Sequence, residues 1–195
     1  MYSFNSRVRY SEVGTDERLT LNSIVNYFQD CSTFQSEDIG LGLEHLRANN
    51  RGWLMSSWQI IVNHYPMLGE EIQIGTWAHD FNGFYGSRNF VITDTDGNYL
   101  AYANSLWVFM DLEKGKPTKI TDDMLNGYVM EAKIDMNYAP RKILLPSESQ
   151  PLDSFPVRRY HIDTNNHVNN GQYIQMAKEF IPEDFKIRQM RVRSE

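Results

Sequence analysis

Thr20-Leu21-Asn22-Ser23-Ile24-Val25-Asn26-Tyr27-Phe28-Gln29-Asp30-Cys31 is the stretch from which the fold is read. Leu21, Ile24, Val25, Phe28 and Cys31 recur at helical spacing and so line one side of an α-helix. Thr20 supplies the hydroxyl favoured at a helix N-cap. The helix is expected to run to about Asp38, ahead of Gly40. At roughly 18 residues it exceeds the average helix. A helix of that length with one apolar stripe needs a broad surface to lie on.

The flanking sequence offers that surface. Before the helix, Phe4, Val8 and Tyr10 mark a strand candidate from Tyr2 to Ser11, broken by Gly14. After it, residues 51–64 read as a strand through Trp53, Met55, Ile61 and Val62. Glu70 to Asp80 alternates cleanly, with Ile72, Ile74, Thr76 and Ala78 on one face. Phe84 to Thr95 and Tyr99 to Leu112 are strands joined by the hairpin signal Asp96-Gly97. Strand, long helix, then four consecutive strands predict an α+β unit over residues 1–130, an antiparallel sheet curled around one helix.

Residues 131–156 hold four of the seven prolines, Pro140, Pro146, Pro151 and Pro156, and read as an extended linker crossing the surface. In residues 157–195 the opening theme returns. Val157 to Tyr160 resembles a strand. A polar loop follows, then Tyr173, Ile174, Ala177 and Phe180 at helical spacing, then a strand from Lys186 to Arg193. Tyr10 and Tyr160 are offset by 150, and Ile24-Val25 and Tyr173-Ile174 by 149. Two tandem units of one fold is the economical reading. The second has too few residues to wrap a helix in a full sheet, so it is expected to be incomplete in this chain.

Composition bounds the function. The chain has 195 residues, 41% hydrophobic, 23% charged and 13% aromatic, a globular mix that excludes disorder and low-complexity fibres. Its single cysteine, Cys31, excludes an intramolecular disulfide framework and sits on the apolar side of the helix, where a core role is expected. The longest apolar runs, such as Ile60 to Val62, are too short to cross a bilayer. Met1 to Arg7 has no apolar leader segment, so a cytoplasmic chain is expected. The net charge of −6 argues against nucleic-acid binding. That charge is uneven: residues 1–130 hold 9 Lys/Arg against 16 Asp/Glu, and residues 131–195 hold 10 against 9. The second part is the better place for an acidic partner.

The densest polar cluster, His161 to Tyr173, lies between a strand candidate and a helix. If the loop is extended, alternate residues share a side, which puts Asp163, Asn165 and His167 together ahead of a helix N-terminus. His167 is a candidate general base. Asp163 can orient an imidazole, activate water or attack a carbonyl. Asn165 can donate to a carbonyl oxygen, and helix N–H groups near Asn170 and Gly171 can hold an oxyanion. Asn and Asp are equally ordinary turn residues. His161, Asp163 and His167 do not match a well-known metal spacing. No G-x-S-x-G supports a serine nucleophile.

Asp163-x-Asn165-x-His167-Val168-Asn169-Asn170-x-x-Tyr173 is similar to the signature of hotdog-fold thioesterases. With Asn165 in the middle, a second-unit location and no equivalent His in the first unit, it resembles the acyl-acyl carrier protein thioesterases of bacteria and plant plastids. The resemblance implies a tandem double hotdog, an antiparallel sheet wrapping a central helix in each unit. It implies hydrolysis of a fatty acyl-acyl carrier protein thioester, releasing free fatty acid and ending chain extension. No cofactor or metal is implied. It carries the catalytic set onto Asp163, Asn165 and His167, with Glu195 as a further acidic residue. It places the acyl chain in the first unit, with Trp53, Trp58, Trp77, Phe81 and Trp107 as candidate liners. The acyl carrier protein would dock near Arg158, Arg159, Arg188 and Arg191. Neither a nucleic acid nor a membrane is an expected partner, and a homodimer is allowed. Because the second unit is short, weak or absent activity is expected of the chain itself. An acyl-CoA thioesterase and a non-catalytic acyl-binding hotdog are the alternatives.

Overall fold

The computed structural model describes every residue except Asn165, Glu183, Asp184 and Glu195. The first strand, β1 (Tyr2–Arg7), is shorter than expected, because Tyr10–Glu12 form a 3-10 turn rather than continuing it. The long helix, α1 (Leu21–Asp38), starts at the expected cap: the Thr20 hydroxyl oxygen accepts the Ser23 N–H at 3.1 Å. It ends before Gly40, whose φ of 74° places it in the left-handed region that closes helices. A short helix, α2 (Leu43–Ala48), follows and was not signalled by periodicity.

Four long strands come next: β2 (Arg51–Val62), β3 (Glu71–Asn82), β4 (Tyr85–Thr93) and β5 (Tyr99–Asp111). A two-residue strand, β6 (Lys116–Pro117), pairs with the end of β5, and a second unforeseen short helix, α3 (Asp122–Gly127), follows. All pairings between these strands are antiparallel. The sheet curls over α1, whose Ile24, Val25, Phe28 and Cys31 are fully covered by Trp58, Ile60, Ile74, Phe90, Ile92 and Ala103. Burying one such apolar side chain contributes about 1.5–3 kcal/mol, so this layer is the main source of stability.

From residue 131 to 158 the chain has no helix or strand. Its first part crosses the outer face of the sheet. Ile134 is buried against Trp77 and Val91, the Trp77 indole N–H donates to the Ala132 carbonyl, and the Gln59 amide bonds both Asn137 and Ala139.

The second unit departs from expectation at its entry. Val157 to Tyr160 is not a strand: these residues are exposed, pair with no strand, and lead into a 3-10 turn at Arg159–His161. Then come α4 (Asn170–Lys178) and β7 (Gln189–Arg193). β7 pairs antiparallel with β2, from Ser57 opposite Arg193 to Ile61 opposite Gln189. The sheet therefore runs β1-β3-β4-β5-β2-β7, and both units share it. No helix among the described residues is long and apolar enough to cross a membrane.

Candidate active site

The polar loop between the second 3-10 turn and α4 is a closed turn, not the extended stretch that alternate-residue spacing assumed. Ile162 and Val168 form an antiparallel bridge at its neck. The Asp163 N–H donates to the His167 carbonyl at 2.8 Å, and the Asn166 N–H to the Asp163 carbonyl at 3.1 Å. Asn166 takes φ 60°, a left-handed conformation that Asn tolerates better than most residues. The turn places Asp163 and His167 opposite each other across the loop, and both line the same cleft. The Asp163 carboxylate accepts the backbone N–H of His167 at 3.3 Å. Asp163 is half-buried and His167 exposed. Asn165 and Glu195 lie outside the described residues. Ser194, next to Glu195, lines the cleft and donates its N–H to the Ser56 carbonyl at 3.0 Å.

This loop is a structural copy of one 149 residues earlier. Both begin with a 3-10 turn whose last side chain reaches back to the backbone N–H of the residue before it: Glu12 to Arg9 and His161 to Arg158, each at 2.9 Å. Val13 bridges Leu19 as Ile162 bridges Val168. Glu17 has φ 59° where Asn166 has 60°. The Thr20 N–H donates to the Glu12 carbonyl as the Asn169 N–H does to that of His161, at 3.0 and 2.9 Å. The offset of 150 suggested by Tyr10 and Tyr160 is therefore one too many. At 149, Gly14 and Arg18 occupy the places of Asp163 and His167. One backbone serves both units, and only the second carries a carboxylate and an imidazole at these two places.

His161 belongs to the scaffold. It is 7% exposed, its Nδ1 accepts the Arg158 N–H, and its ring stands edge-on to Tyr160 at 4.2 Å. No group of three His, Cys, Asp or Glu residues among the described residues is arranged to hold a metal. The N-terminus of α4 is partly used. Asn169 caps it by accepting the Gly171 N–H at 2.8 Å, so that N–H is not free for an oxyanion as the sequence reading allowed.

The first unit supports this end of α4. Gln29 of α1 lies 3.4 Å from Asn169 through one amide atom and 3.4 Å from Asn170 through the other. A Cβ on Gly171 would fall 2.9 Å from the side-chain oxygens of both Asn22 and Asn26, so any larger residue there would have to push both amides aside. Nothing in the sequence marked Asn22, Asn26 or Gln29, because their partners are about 140 residues away.

From the loop, a cleft of about 1170 Å³ extends between α1, α2 and β2. Its apolar wall includes Trp53, Leu54, Met55, Phe81 and Trp107. Two of the five expected liners are elsewhere. Trp58 is 3% exposed in the core between Phe28 and Phe90, and Trp77 is covered on the outer face of the sheet. Strand parity puts Trp77 on the outer face, whereas Trp58 is on the inner face and is sealed off by Phe28 and Phe90.

Residues 1–128 match the model for the acyl-ACP thioesterase N-terminal domain, and residues 146–192 match that for the acyl-ACP thioesterase C-terminal domain. The chain belongs to the acyl-ACP thioesterase family. It is similar to an acyl-[acyl-carrier-protein] hydrolase, FATB2, chloroplastic, of Cuphea viscosissima, 25% identical over 91% of this chain and 46% of the relative. It is similar to oleoyl-acyl carrier protein thioesterase 1, chloroplastic, of Arabidopsis thaliana, 26% identical over 91% and 54%. The chain thus spans about half the length of these curated relatives. The crystal structure of an acyl-ACP thioesterase from Bacteroides thetaiotaomicron superposes with a TM-score of 0.86, at 24% identity, over 97% of this chain and 78% of that one. The fold is accordingly the family's hotdog type, an antiparallel sheet wrapping a helix.

Proposed function

We propose that the chain serves hydrolysis of the thioester of a fatty acyl-acyl carrier protein, releasing free fatty acid. The observation that carries this reading is the duplicated loop. The same backbone holds Gly14 and Arg18 in one unit and Asp163 and His167 in the other, and only the second pair pairs carboxylate with imidazole at the mouth of an apolar-walled cleft. The names of the relatives, acyl-carrier-protein hydrolase and thioesterase, support the same chemistry.

In this mechanism His167, aided by Glu195, takes a proton from water as it attacks the thioester carbonyl. Asn165 and the Asn170 N–H stabilise the oxygen as charge develops on it. The C–S bond breaks, and the departing thiolate takes up the proton. Asp163 holds the turn that presents His167. The acyl chain lies along α1 against Trp53 and Trp107. The carrier protein, which is acidic, docks at Arg158, Arg159, Arg188 and Arg191. Arg188 and Arg191 donate to the carbonyls of Asn63 and Pro140, which fixes their direction without neutralising them.

Single-turnover thiol release from acyl-carrier-protein thioesters of 8–18 carbons tests this. His167→Ala is expected to slow release at least 100-fold, as roughly 10²–10⁴ is typical for a lost general base. Because weak or absent release is expected of a chain with so short a second unit, the same assay is run on a version extended to the length of the relatives; no release by that folded protein, or an unchanged rate in its His167→Ala variant, would overturn the reading. Faster release from matched CoA thioesters would point to the CoA enzyme instead.

A further inference from the structure

The two helices that meet beside the polar loop are related as the loops are. α1 begins at Leu21 and α4 at Asn170, again 149 apart. At that offset Asn22 corresponds to Gly171, and these two lie against each other, as equivalent positions do at a two-fold axis. Such an axis calls for matching contacts on its two sides. Gln29 reaches Asn169, the cap of α4. Its counterpart Lys178 would then reach Thr20, the cap of α1, yet among the described residues no hydrogen bond joins that pair. The brace is built at one helix, the one that follows Asp163 and His167.

Its geometry singles out one peptide. Gln29 Nε2 donates to Asn169 Oδ1, and Gln29 Oε1 accepts from Asn170 Nδ2, each at 3.4 Å. One amide thus grips the side chains on both sides of the Asn169–Asn170 peptide. The N–H of that peptide, at the first position of α4, donates to no group among the described residues, whereas the Gly171 N–H is taken by the cap. Gln29, Asn169, Asn170 and His167 line the same cleft. An unbonded N–H at a helix start is a donor for an anionic oxygen, and its worth in catalysis depends on being held in place. Bonds at the long end of the range can tighten when substrate is bound.

We propose that Gln29 is a positioning residue of the hydrolytic site: from the first unit it fixes the Asn169–Asn170 peptide, so that the Asn170 N–H meets the thioester oxygen as charge develops on it. This rests on the thioesterase reading, so the test pairs kinetics with binding. The protein extended to the length of the relatives is assayed for thiol release. It is also titrated with two acyl-pantetheine analogues. One is an amide, a neutral mimic of the substrate. The other is a trifluoromethyl ketone, whose hydrate has a tetrahedral carbon and an ionisable oxygen.

Loss of an oxyanion donor costs about 10²–10³ in kcat, so a donor left present but unfixed is expected to cost about tenfold. Gln29→Leu is expected to lower kcat and ketone affinity by about that factor, with KM and amide affinity kept within about twofold. Gln29→Met gives the same reading if the leucine variant does not fold. Lys178→Leu, the same change across the axis, leaves kcat and both affinities as they are. An unchanged kcat in the Gln29 variants, an equal loss of both ligands, or an equal fall in Lys178→Leu would overturn the inference, and each leaves the hydrolase reading standing in a parent that releases thiol. A parent that releases none and binds the ketone no better than the amide removes that reading, and the inference with it.

Discussion

Cys31 shows how far one side chain is governed by its surroundings. It is fully buried on the apolar face of α1, with its sulfur 3.7 Å from the Ile74 carbonyl. Burial pushes its thiol up to about 12. In the unfolded chain a thiol titrates near about 8.5. The folded state therefore holds this proton more tightly, and the associated stability is full below about pH 8.5 and is lost as pH rises toward 12. Tyr27 and Tyr65 are pushed up to about 12 as well, chiefly by burial, and add to the loss above about pH 10. Denaturant midpoints are expected to be flat to about pH 8.5 and to fall steadily above it. At pH 8 a thiol reagent should label Cys31 in denaturant and not in the native protein. Native labelling within seconds would show that the helix face is not closed.

At the scale of elements, caps separate what was legible from what was not. Thr20 and Gly40 bound α1 in the sequence as they do in the structure, because capping chemistry is local. The same chemistry predicts a difference between the two helices. Thr20→Ala is expected to cost about 1 kcal/mol of global stability, since α1 is the centre of the core. Asn169→Ala removes a cap of similar worth from α4, whose buried residues are only Gly171 and Ile174, so its effect should fall on local exchange of α4 amides before global unfolding. Denaturation and amide exchange on the two variants check this. Where no cap or sustained period existed, the sequence misled. Val157-Arg158-Arg159-Tyr160 is too short, and lacks the alternation needed, to distinguish a strand from the approach to a turn. The six-residue helices α2 and α3 are too short to show a period. The loop residues Asp163 and His167 were legible by type. Their nearness was expected from alternation, but it comes instead from the left-handed Asn166 and a bridge at the neck. The matching φ at Glu17 shows that the backbone conformation belongs to the loop and not to the residue types at the candidate site.

For the whole molecule, the unanticipated feature is that the second unit completes the sheet of the first. A strand over Lys186 to Arg193 could be read from the sequence, but its partner could not, because pairing across more than a hundred residues leaves no local mark. In the structure Val62 donates its N–H to the Arg188 carbonyl at 2.9 Å, Tyr65 donates its hydroxyl to the Ile187 carbonyl at 2.7 Å, and Met190 and Val192 pack on the main core. β7 should then behave as part of the first unit's cooperative structure. A chain ending at Phe185 loses the buried Ile187 and these contacts, and its unfolding free energy is expected to drop by about 3 kcal/mol or more, at 1.5–3 kcal/mol for each buried apolar side chain. The exposed edge of β2 should also promote association at high concentration. Amide exchange gives the sharper reading. The Val62 N–H should lose its protection, whereas the neighbouring Asn63 N–H, bonded to the Leu100 carbonyl at 2.8 Å, should keep it. If Val62 stays protected in the shortened chain, β7 is an appendage. If it alone opens, the edge of the first sheet is held by the unit that carries the polar loop from Asp163 to His167, and the two units fold as one.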